Sequence, residues 1–262
     1  SGDPQKGSDT HIIAKLQSSQ RTTVTPDRHL GKIEEETEHP DPEVNWHEEY
    51  LIGTGREMHS KAEGQYVYEG GSYPIIPYDG FPLAVLFGAE SFTQDTPQAG
   101  VNEHVLTVKD SGTPPALTVE AAHFGRGGAS DFVRTFDTVV PPSGEISVDN
   151  EGRLTVTLDA IALGVTPGTS ATSTPTMPDR DPFLFSDISS DLSFGGTTVA
   201  RFEEFTYSLN QNSSARHYIN TTTGKDPYEI LYGGQANHEL TATVTVVDDT
   251  FYSELDSPTD GG

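Results

Sequence analysis

Polar and apolar residues alternate strictly along four segments of the chain, 145–149, 153–159, 204–210 and 240–246. Successive side chains of a β-strand point to opposite faces, so a period of two predicts strands that bury one face and leave the other in water. The turn residues Asn150-Glu151-Gly152 between the first two segments predict a β-hairpin. These four strands are the framework of the predicted fold.

The alternation sorts the side chains of the four strands into two faces. The apolar face, which is expected to pack on a core, contains Ile146, Val148, Leu154, Val156, Leu158, Phe205, Tyr207, Leu209, Leu240, Ala242 and Val244. The polar face contains Glu145, Ser147, Asp149, Thr155, Thr157, Asp159, Glu204, Thr206, Ser208, Asn210, Thr241, Thr243 and Thr245. This polar set includes no Lys or Arg. Two interpretations remain open: the water-facing side of an ordinary β-sandwich, or the inner wall of a closed tube that offers DNA phosphates nothing to bind.

Further segments predict more strands and two short helices. Runs rich in β-branched residues at Leu117–Ala122 and Phe132–Val140 predict strands. The apolar stretch from Pro82 to Gly88 is typical of a short helix, with proline near its start and glycine at its end. The segment Asp226–Leu231 begins with Asp-Pro and predicts a second short helix with an aspartate N-cap. The predicted fold is therefore mainly β, with antiparallel strands and a short flanking helix.

Changes in composition along the chain predict its organisation. Residues 1–45 form a polar, extended N-terminal arm, which is either disordered or ordered on a neighbouring subunit. A β domain is expected over 46–256, followed by a short C-terminal tail at 257–262. Within the domain, 53–80 is interrupted by glycines and predicts a long hairpin-like loop with short strands, and 166–181 is a linker rich in Thr, Ser and Pro.

The net charge of −25 is the most informative property of the composition, and it arises from 40 Asp and Glu residues against 15 Lys and Arg. Self-repulsion of this size weakens a compact state at low ionic strength, whereas molar salt shortens the Debye length to about 3 Å. We therefore expect a folded protein whose solvent is concentrated salt. So acidic a surface repels DNA and anionic membranes. No apolar run reaches the length of a membrane span, and the N-terminus lacks the apolar core of a signal peptide.

The residues with catalytic or metal-binding chemistry form no familiar pattern. The chain has no cysteine, and its nine histidines are scattered without an HExxH or HxH pair. Trp46-His47-Glu48-Glu49 comes closest to a metal motif but lacks the second histidine. No nucleophile elbow, P-loop or dinucleotide fingerprint is present. The sequence therefore predicts a protein that is not an enzyme and uses no cofactor, and it leaves metal binding open.

Several stretches in order resemble the tail tube proteins of long-tailed viruses. They are Leu117–Glu120, Phe132–Leu163, Phe183–Asp187, Gly195–Asn212, Asp226–Ile230 and Leu240–Tyr252. The more specific similarity is in Phe183–Asp187 and Gly195–Asn212, and it continues through Asp226–Ile230 and Leu240–Tyr252. The resemblance covers roughly residues 48–256 and rests on pattern and order. The N-terminal arm and the 166–181 linker depart from the compact family pattern.

The resemblance implies a tail-tube-type β-sandwich or barrel with a flanking helix, assembled as hexameric rings that stack into a conduit for the genome. It implies that the polar face lines the lumen, and that the 53–80 loop reaches the next ring. Candidate inter-ring contacts are then Tyr66, Tyr68, Tyr73, Ile75, Ile76 and Tyr78. Implied partners are copies of the chain itself, tape-measure, tail terminator and baseplate proteins, and double-stranded DNA in passive contact, with no membrane insertion.

The resemblance also implies a place and a source. The chain would belong to the virion tail and be assembled in the host cytoplasm, and the acidic composition points to a virus of halophilic archaea. One alternative is a surface β-sandwich binding module, such as an adhesin or carbohydrate binder, with an exposed aromatic platform from Tyr66, Tyr68, Tyr73 and Tyr78. Another alternative is a hydrolase with clustered carboxylates, but no constellation of residues supports it.

Overall fold

The architecture comes from a computed structural model. The residues it describes are 10–33, 37–49, 60–94, 102–109, 111–125, 130–149, 152–176, 181, 183–184, 193–194, 197–198, 202–219 and 222–244.

Strands dominate these residues, and they are accompanied by one short helix. The first half contains β1 (Thr10–Leu16), β2 (Arg28–His29), β3 (Lys32–Ile33), β4 (Pro42–Glu49), β5 (Ser60–Tyr68), β6 (Gly71–Ile76), α1 (Phe81–Phe87), β7 (Gly88–Gln94), β8 (Asn102–Val108), β9 (Leu117–His123) and β10 (Phe132–Val139). The second half contains β11 (Ser143–Asp149), β12 (Thr155–Ala160), β13 (Gly164–Gly168), β14 (Ser193–Phe194), β15 (Thr197–Thr198), β16 (Phe202–Asn210), β17 (Ser213–Arg216), β18 (Glu229–Tyr232) and β19 (Asn237–Val244). The prediction of a mainly β fold is confirmed.

Two antiparallel sheets form the body of the fold. The larger sheet has six strands in the order β19-β16-β11-β12-β6-β3, and the smaller has five in the order β13-β10-β9-β1-β2. The predicted hairpin is present, with Ile146 of β11 opposite Val156 of β12. The remaining strands pair as two-stranded ribbons, β4 with β5, β7 with β8, β14 with β15 and β17 with β18.

The main hydrophobic core joins side chains from both large sheets. Tyr73 and Ile75 of β6 and Val156 of β12 are buried in one cluster with Val119 of β9 and Phe136 of β10. Period-two alternation is what produces this layer, since the burial of β12 switches at every residue along the strand. This arrangement is consistent with the sandwich that the sequence predicts.

The helix α1 confirms the first predicted helix and packs closely on the six-stranded sheet. Pro82 lies near its start, and its end is closed by Gly88 in the left-handed region (φ +85°), whose N–H donates to the carbonyl of Ala84. Leu86 contacts β11 at Gly144, where a Cβ would lie 2.7 Å from Leu86 Cδ1. Among the residues that the structure describes, no helix is long and apolar enough to cross a membrane.

The described part of the predicted N-terminal arm belongs to the fold of its own subunit, which corrects the sequence-based interpretation. β1 pairs with β9 along its whole length, from Thr10 opposite His123 to Leu16 opposite Leu117. Ile13 is fully buried within it. The apolar stretch of β1 is too short to predict a strand alone, and its burial comes from pairing with a distant part of the chain.

The predicted 53–80 loop divides into two parts with different roles. β5 pairs with β4 in a two-stranded ribbon whose residues are mostly exposed, so this part extends from the body. β6 instead lies inside the six-stranded sheet, paired with β12 and β3. The short strands predicted within this loop are present as β5 and β6, but β6 is a core strand.

The second predicted helix, at Asp226–Leu231, is wrong. Residues Glu229–Tyr232 form β18, which pairs with β17. The Asp226 carboxylate accepts a hydrogen bond from the Tyr68 hydroxyl at 2.6 Å. Tertiary pairing therefore overrides the local Asp-Pro signal, because the carboxylate that would cap a helix binds another part of the fold.

Candidate functional site

The polar side chains of β11, β12, β16 and β19 lie in register on one face of the six-stranded sheet. One row crosses all four strands, with Glu239 opposite Ser208, Ser208 opposite Glu145, and Glu145 opposite Thr157. Directly opposed residues of antiparallel strands point to the same face. The predicted polar residues of this row are therefore neighbours in space.

A second row runs parallel to the first and is built of hydroxyl groups. Thr241 lies opposite Thr206, Thr206 opposite Ser147, and Ser147 opposite Thr155. Small hydroxyl side chains suit a pleated surface and remain compatible with water on their open side. This row gives the face a neutral band next to the carboxylates of the first row.

The ends of the same face carry further polar residues. Thr243 Oγ1 donates to Glu204 Oε1 at 2.7 Å, and Glu204 lies opposite Asp149 across β11 and β16. At the other end, Asn210 lies opposite Asn237. Twelve of the thirteen predicted polar-face residues thus lie on four neighbouring strands, and the thirteenth, Thr245, lies outside the described residues.

Three further residues lie on the face in addition to those predicted from the alternation. Ser143, Asn237 and Glu239 occupy the same side of their strands as the predicted set, and Ser143 donates a hydrogen bond to Asp159. The signal was available, because the period of two continues backwards from Glu145 and from Thr241. The clear alternation of apolar and polar residues begins at 145 and at 240, whereas β11 begins at Ser143 and β19 at Asn237.

At one end of the four strands the face forms a shallow concavity of about 360 Å³. Its lining includes Glu145, Asp159 and Glu239. None of β11, β12, β16 and β19 contains Lys or Arg, although the exposed Arg153, two residues before Thr155, continues the polar phase of the alternation beyond the start of β12. The face is therefore acidic and rich in hydroxyls, with no cation on its four strands. It can repel phosphate groups and exchange hydrogen bonds with water.

Comparison with known proteins gives this face its context. A family model described as phage tail tube protein matches residues 7–261. The chain belongs to the phage tail tube protein family. No curated protein matches the chain. Family membership makes it a structural subunit of a viral tail tube, found in the virion tail, in a family that is structural and not enzymatic. Members assemble with themselves and with other tail components into the tube.

The opposite, apolar face of this tail tube subunit is only partly covered. Val148, Val156 and Leu209 are buried as the alternation predicts. Leu240 on β19 is 61% exposed, and Ala242 is exposed as well, although both were expected to pack on a core. The prediction fails there because none of the elements that the structure describes forms a covering layer over β19.

Most of the side chains predicted to contact the next ring of the tail tube are buried inside the subunit. Tyr73, Ile75 and Ile76 lie on or beside the core strand β6, and Tyr68 and Tyr78 are each 5% exposed. Tyr66, which is half-buried, is the remaining member of this set. Because these tyrosines are buried, they do not form the exposed aromatic platform that the alternative of a surface binding module requires.

The histidines do not form a metal centre in the part of the chain that the structure describes, where no group of three or more His, Asp or Glu could hold an ion. At the weak motif on β4, the Lys61 ammonium lies over the ring of Trp46, 4.2 Å from its centroid. Glu48 pairs with the same lysine at 3.4 Å. These contacts hold the β4–β5 ribbon together.

Proposed function

We propose that this chain forms hexameric rings that stack into a hollow tail tube, and that the viral genome passes through the tube into the host. The acidic and hydroxyl-bearing face of β11, β12, β16 and β19 lines the lumen. The observation that carries the proposal is the register of these strands, which joins the described members of the predicted set into one continuous surface, with no Lys or Arg on the four strands.

The chemistry of the face suits the passage of double-stranded DNA. A Lys or Arg on the wall would release counterions from the phosphates and hold the DNA, with an affinity that falls steeply with salt. Carboxylates such as Glu145 and Glu239 do the opposite, because they repel phosphates, over about 3 Å in molar salt and over longer distances at lower salt. Hydroxyls between them hold water at the surface. DNA therefore meets a wall on which it has no preferred position.

Contacts between stacked rings are proposed for the β4–β5 ribbon. Nearly all residues of β4 and most of β5 are exposed, so the ribbon is available to a neighbouring subunit. Among the six residues predicted for this role, Tyr66 is the one that lies on the ribbon and retains partial exposure. The Lys225 ammonium lies 5.7 Å from the centroid of the Tyr66 ring, which holds the base of the ribbon on the body.

The proposed partners at the ends and inside of the tube are tail terminator, baseplate and tape-measure proteins, with assembly in the host cytoplasm. The proposed source is a virus of halophilic archaea. The support is the net charge of −25, which is compatible with stacking many copies only where salt screens the repulsion between them.

Electron microscopy of the purified chain in molar salt tests the proposal. Six-fold ring averages and stacked tubes are expected, and dialysis into low salt should dissociate them because the repulsion is no longer screened. A chain that stays monomeric at every protein and salt concentration would overturn the proposal. Rings of another symmetry would retain the tube and correct the subunit number.

A further inference from the structure

A cavity of about 970 Å³ lies next to the main core, away from the polar face. The four histidines that line it come from separate segments of the chain and are His11, His29, His39 and His123. Arg134 also lines the cavity, and the described part of the lining includes no Asp or Glu. This composition is unusual for a chain with 40 acidic and 15 basic residues. The cavity is therefore a place where basic groups gather without carboxylates in the wall.

Two of the four histidines are occupied in holding the fold together. His11 Nε2 lies 3.0 Å from Oε1 of the buried Glu120, and His11 Nδ1 lies 2.9 Å from Thr174 Oγ1. His29 Nε2 donates to the carbonyl of Pro175 at 3.0 Å. These bonds fix residues of the predicted linker as one wall of the cavity. Recognition of a ligand is left to the basic groups on the other walls.

Arg134 is the charged group of the cavity. It lies opposite Ala121 on the core-facing side of β10, two residues before the fully buried Phe136. Its Nη1 donates to the carboxylate of Asp41, which is the only acceptor of Arg134 among the described residues. The Asp41 side chain is 56% exposed, whereas that of Arg134 is 24% exposed. A guanidinium has several N–H donors, so this partly buried cation keeps donors for a second anion.

His123 and His39 act at the same place as Arg134. His123 is half-buried, and neither of its ring nitrogens has a hydrogen-bond partner among the described residues. Burial is the main cause that lowers the pKa of His39, and the charges of Arg134 and His123 lower it further, while Asp41 opposes them. The Tyr73 hydroxyl lies 3.3 Å from His39 Nδ1 and is the other polar group at this ring. The potential around these groups therefore favours a negative charge.

We propose that this cavity binds a small oxyanion, a phosphate or a carboxylate, with the Arg134 guanidinium as its charged partner and His123 as a further hydrogen-bond donor. The planar fork of a guanidinium matches two oxygens of an oxyanion. A metal ion fits poorly, because Arg134 stays charged and the described residues include no group of three or more possible ligands. The ligand is held within one subunit, so the inference does not depend on the tail tube.

The site would act at the root of the β4–β5 ribbon. Asp41 immediately precedes β4, and its ion pair with Arg134 joins that root to β10. A bound oxyanion and the Asp41 carboxylate repel each other and compete for one guanidinium. Removing the carboxylate should therefore tighten binding, whereas removing the guanidinium should weaken it. A merely structural role of the ion pair predicts no such opposite effects.

Titration of inorganic phosphate, followed by the width of its ³¹P resonance, tests the proposal. The purified chain is used at a fixed chloride concentration and below the protein concentration at which it assembles. The native chain should give saturable broadening. Arg134→Gln should weaken binding by about tenfold or more, because a charge-assisted contact is lost. His123→Phe should weaken it by about threefold, and Asp41→Asn should tighten it by about threefold.

Arg28→Gln is the matched control. Arg28 also pairs with a carboxylate, since its Nη2 lies 2.6 Å from Asp79 Oδ2, but it does not belong to the lining of the cavity. This variant should keep the native affinity. Circular dichroism checks that each variant is folded. An equal loss of binding in Arg28→Gln and Arg134→Gln would overturn the proposal, because the effect would then follow from the removal of any arginine.

The remaining outcomes are also decisive. No saturable broadening with the native chain, or native affinity in a folded Arg134→Gln, would overturn the inference and leave the tail tube unaffected. If Arg134→Gln does not fold, unchanged affinity in both Asp41→Asn and His123→Phe would overturn it. Competition with acetate distinguishes the two oxyanions. Displacement of phosphate by a similar concentration of acetate supports a carboxylate ligand, and displacement only by a large excess supports a phosphate.

Discussion

Nε2 of His11 on β1 lies 3.0 Å from Oε1 of Glu120 on β9, and both side chains are almost fully buried. The same carboxylate accepts the backbone N–H of Thr172 at 2.9 Å and its hydroxyl at 2.7 Å. Thr174 Oγ1 lies 2.9 Å from His11 Nδ1. Residues 169–176, from the predicted linker, are therefore fastened as a strap to the five-stranded sheet through one buried carboxylate.

Glu120→Ala should lower the free energy of unfolding by about 2–4 kcal/mol, because it leaves His11 and the two donors of Thr172 without their acceptor. Urea denaturation in molar salt, followed by circular dichroism, measures this loss. Proteolysis within the strap should also become faster. Ser173→Ala, at an exposed position of the same strap, is the control and should leave both quantities unchanged. Unfolding of Glu120→Ala at the native urea concentration would show that the strap contributes no stability.

The strap residues and the strand β19 show which features of the fold the sequence predicts and which it does not. Thr241 and Leu240 alternate, and the structure places them on opposite faces as expected. Alternation reports which side a residue points to, but not whether another layer covers that side. Leu240 is therefore exposed, while Glu120, whose type predicts exposure, is buried because distant residues supply its donors.

Two other segments, one predicted as part of a loop and one as a helix, differ from their predictions for a related reason. Tyr73, Ile75 and Ile76 follow a glycine-rich stretch and looked like part of an excursion, yet β6 pairs on both sides and lies in the core. The Asp226-Pro227 signal for a helix was overridden by pairing of β17 with β18. Both errors come from contacts between segments far apart in sequence, which local patterns do not encode.

His39 should make stability depend on pH. Burial, with a further contribution from the positive charge of Arg134, lowers the pKa of His39 to about 4 from its usual 6.5. The folded state therefore binds fewer protons than the unfolded chain between these values. The stabilisation is fully present above pH 6.5 and is lost as pH falls towards 4, by at most about 3 kcal/mol.

A variant isolates this contribution from the titration of the carboxylates. The ring of His39 stacks on Phe136 with centroids 5.3 Å apart, so His39→Phe keeps the aromatic contact and removes the titrating group. The variant should lose less stability than the native chain between pH 6.5 and 4 in parallel urea titrations. His47→Gln, at an exposed histidine on β4, should keep the native slope. Identical slopes for His39→Phe and the native chain would contradict the prediction.

Gly144→Ala should destabilise the contact between α1 and the sheet by about 1–3 kcal/mol, through overpacking. The added Cβ would lie 2.7 Å from Leu86 Cδ1 and 2.8 Å from the carbonyl oxygen of Thr157, and the second atom is backbone that cannot move aside cheaply. Gly164→Ala is the matched control, since no atom lies within 4 Å of its added Cβ. Differential scanning calorimetry should give a lower melting temperature for Gly144→Ala alone, and equal melting temperatures would refute the close approach of helix and sheet.

If the polar face of β11, β12, β16 and β19 lines the lumen as proposed, lysines on it should convert a wall that repels DNA into one that binds it. Thr155 and Thr206 flank Ser147 in one row of the face, so the double substitution Thr155→Lys and Thr206→Lys places two cations on the wall of each subunit. Co-sedimentation of tubes with short duplex DNA, at the lowest salt at which tubes persist, should show retention by this variant and none by native tubes. The logarithm of the binding constant should fall with the logarithm of salt with a slope of about −0.9 for each phosphate neutralised. The pair Thr25→Lys and Ser170→Lys adds the same charge at exposed positions away from these strands, and equal DNA retention by that pair would argue against a lumen on this face.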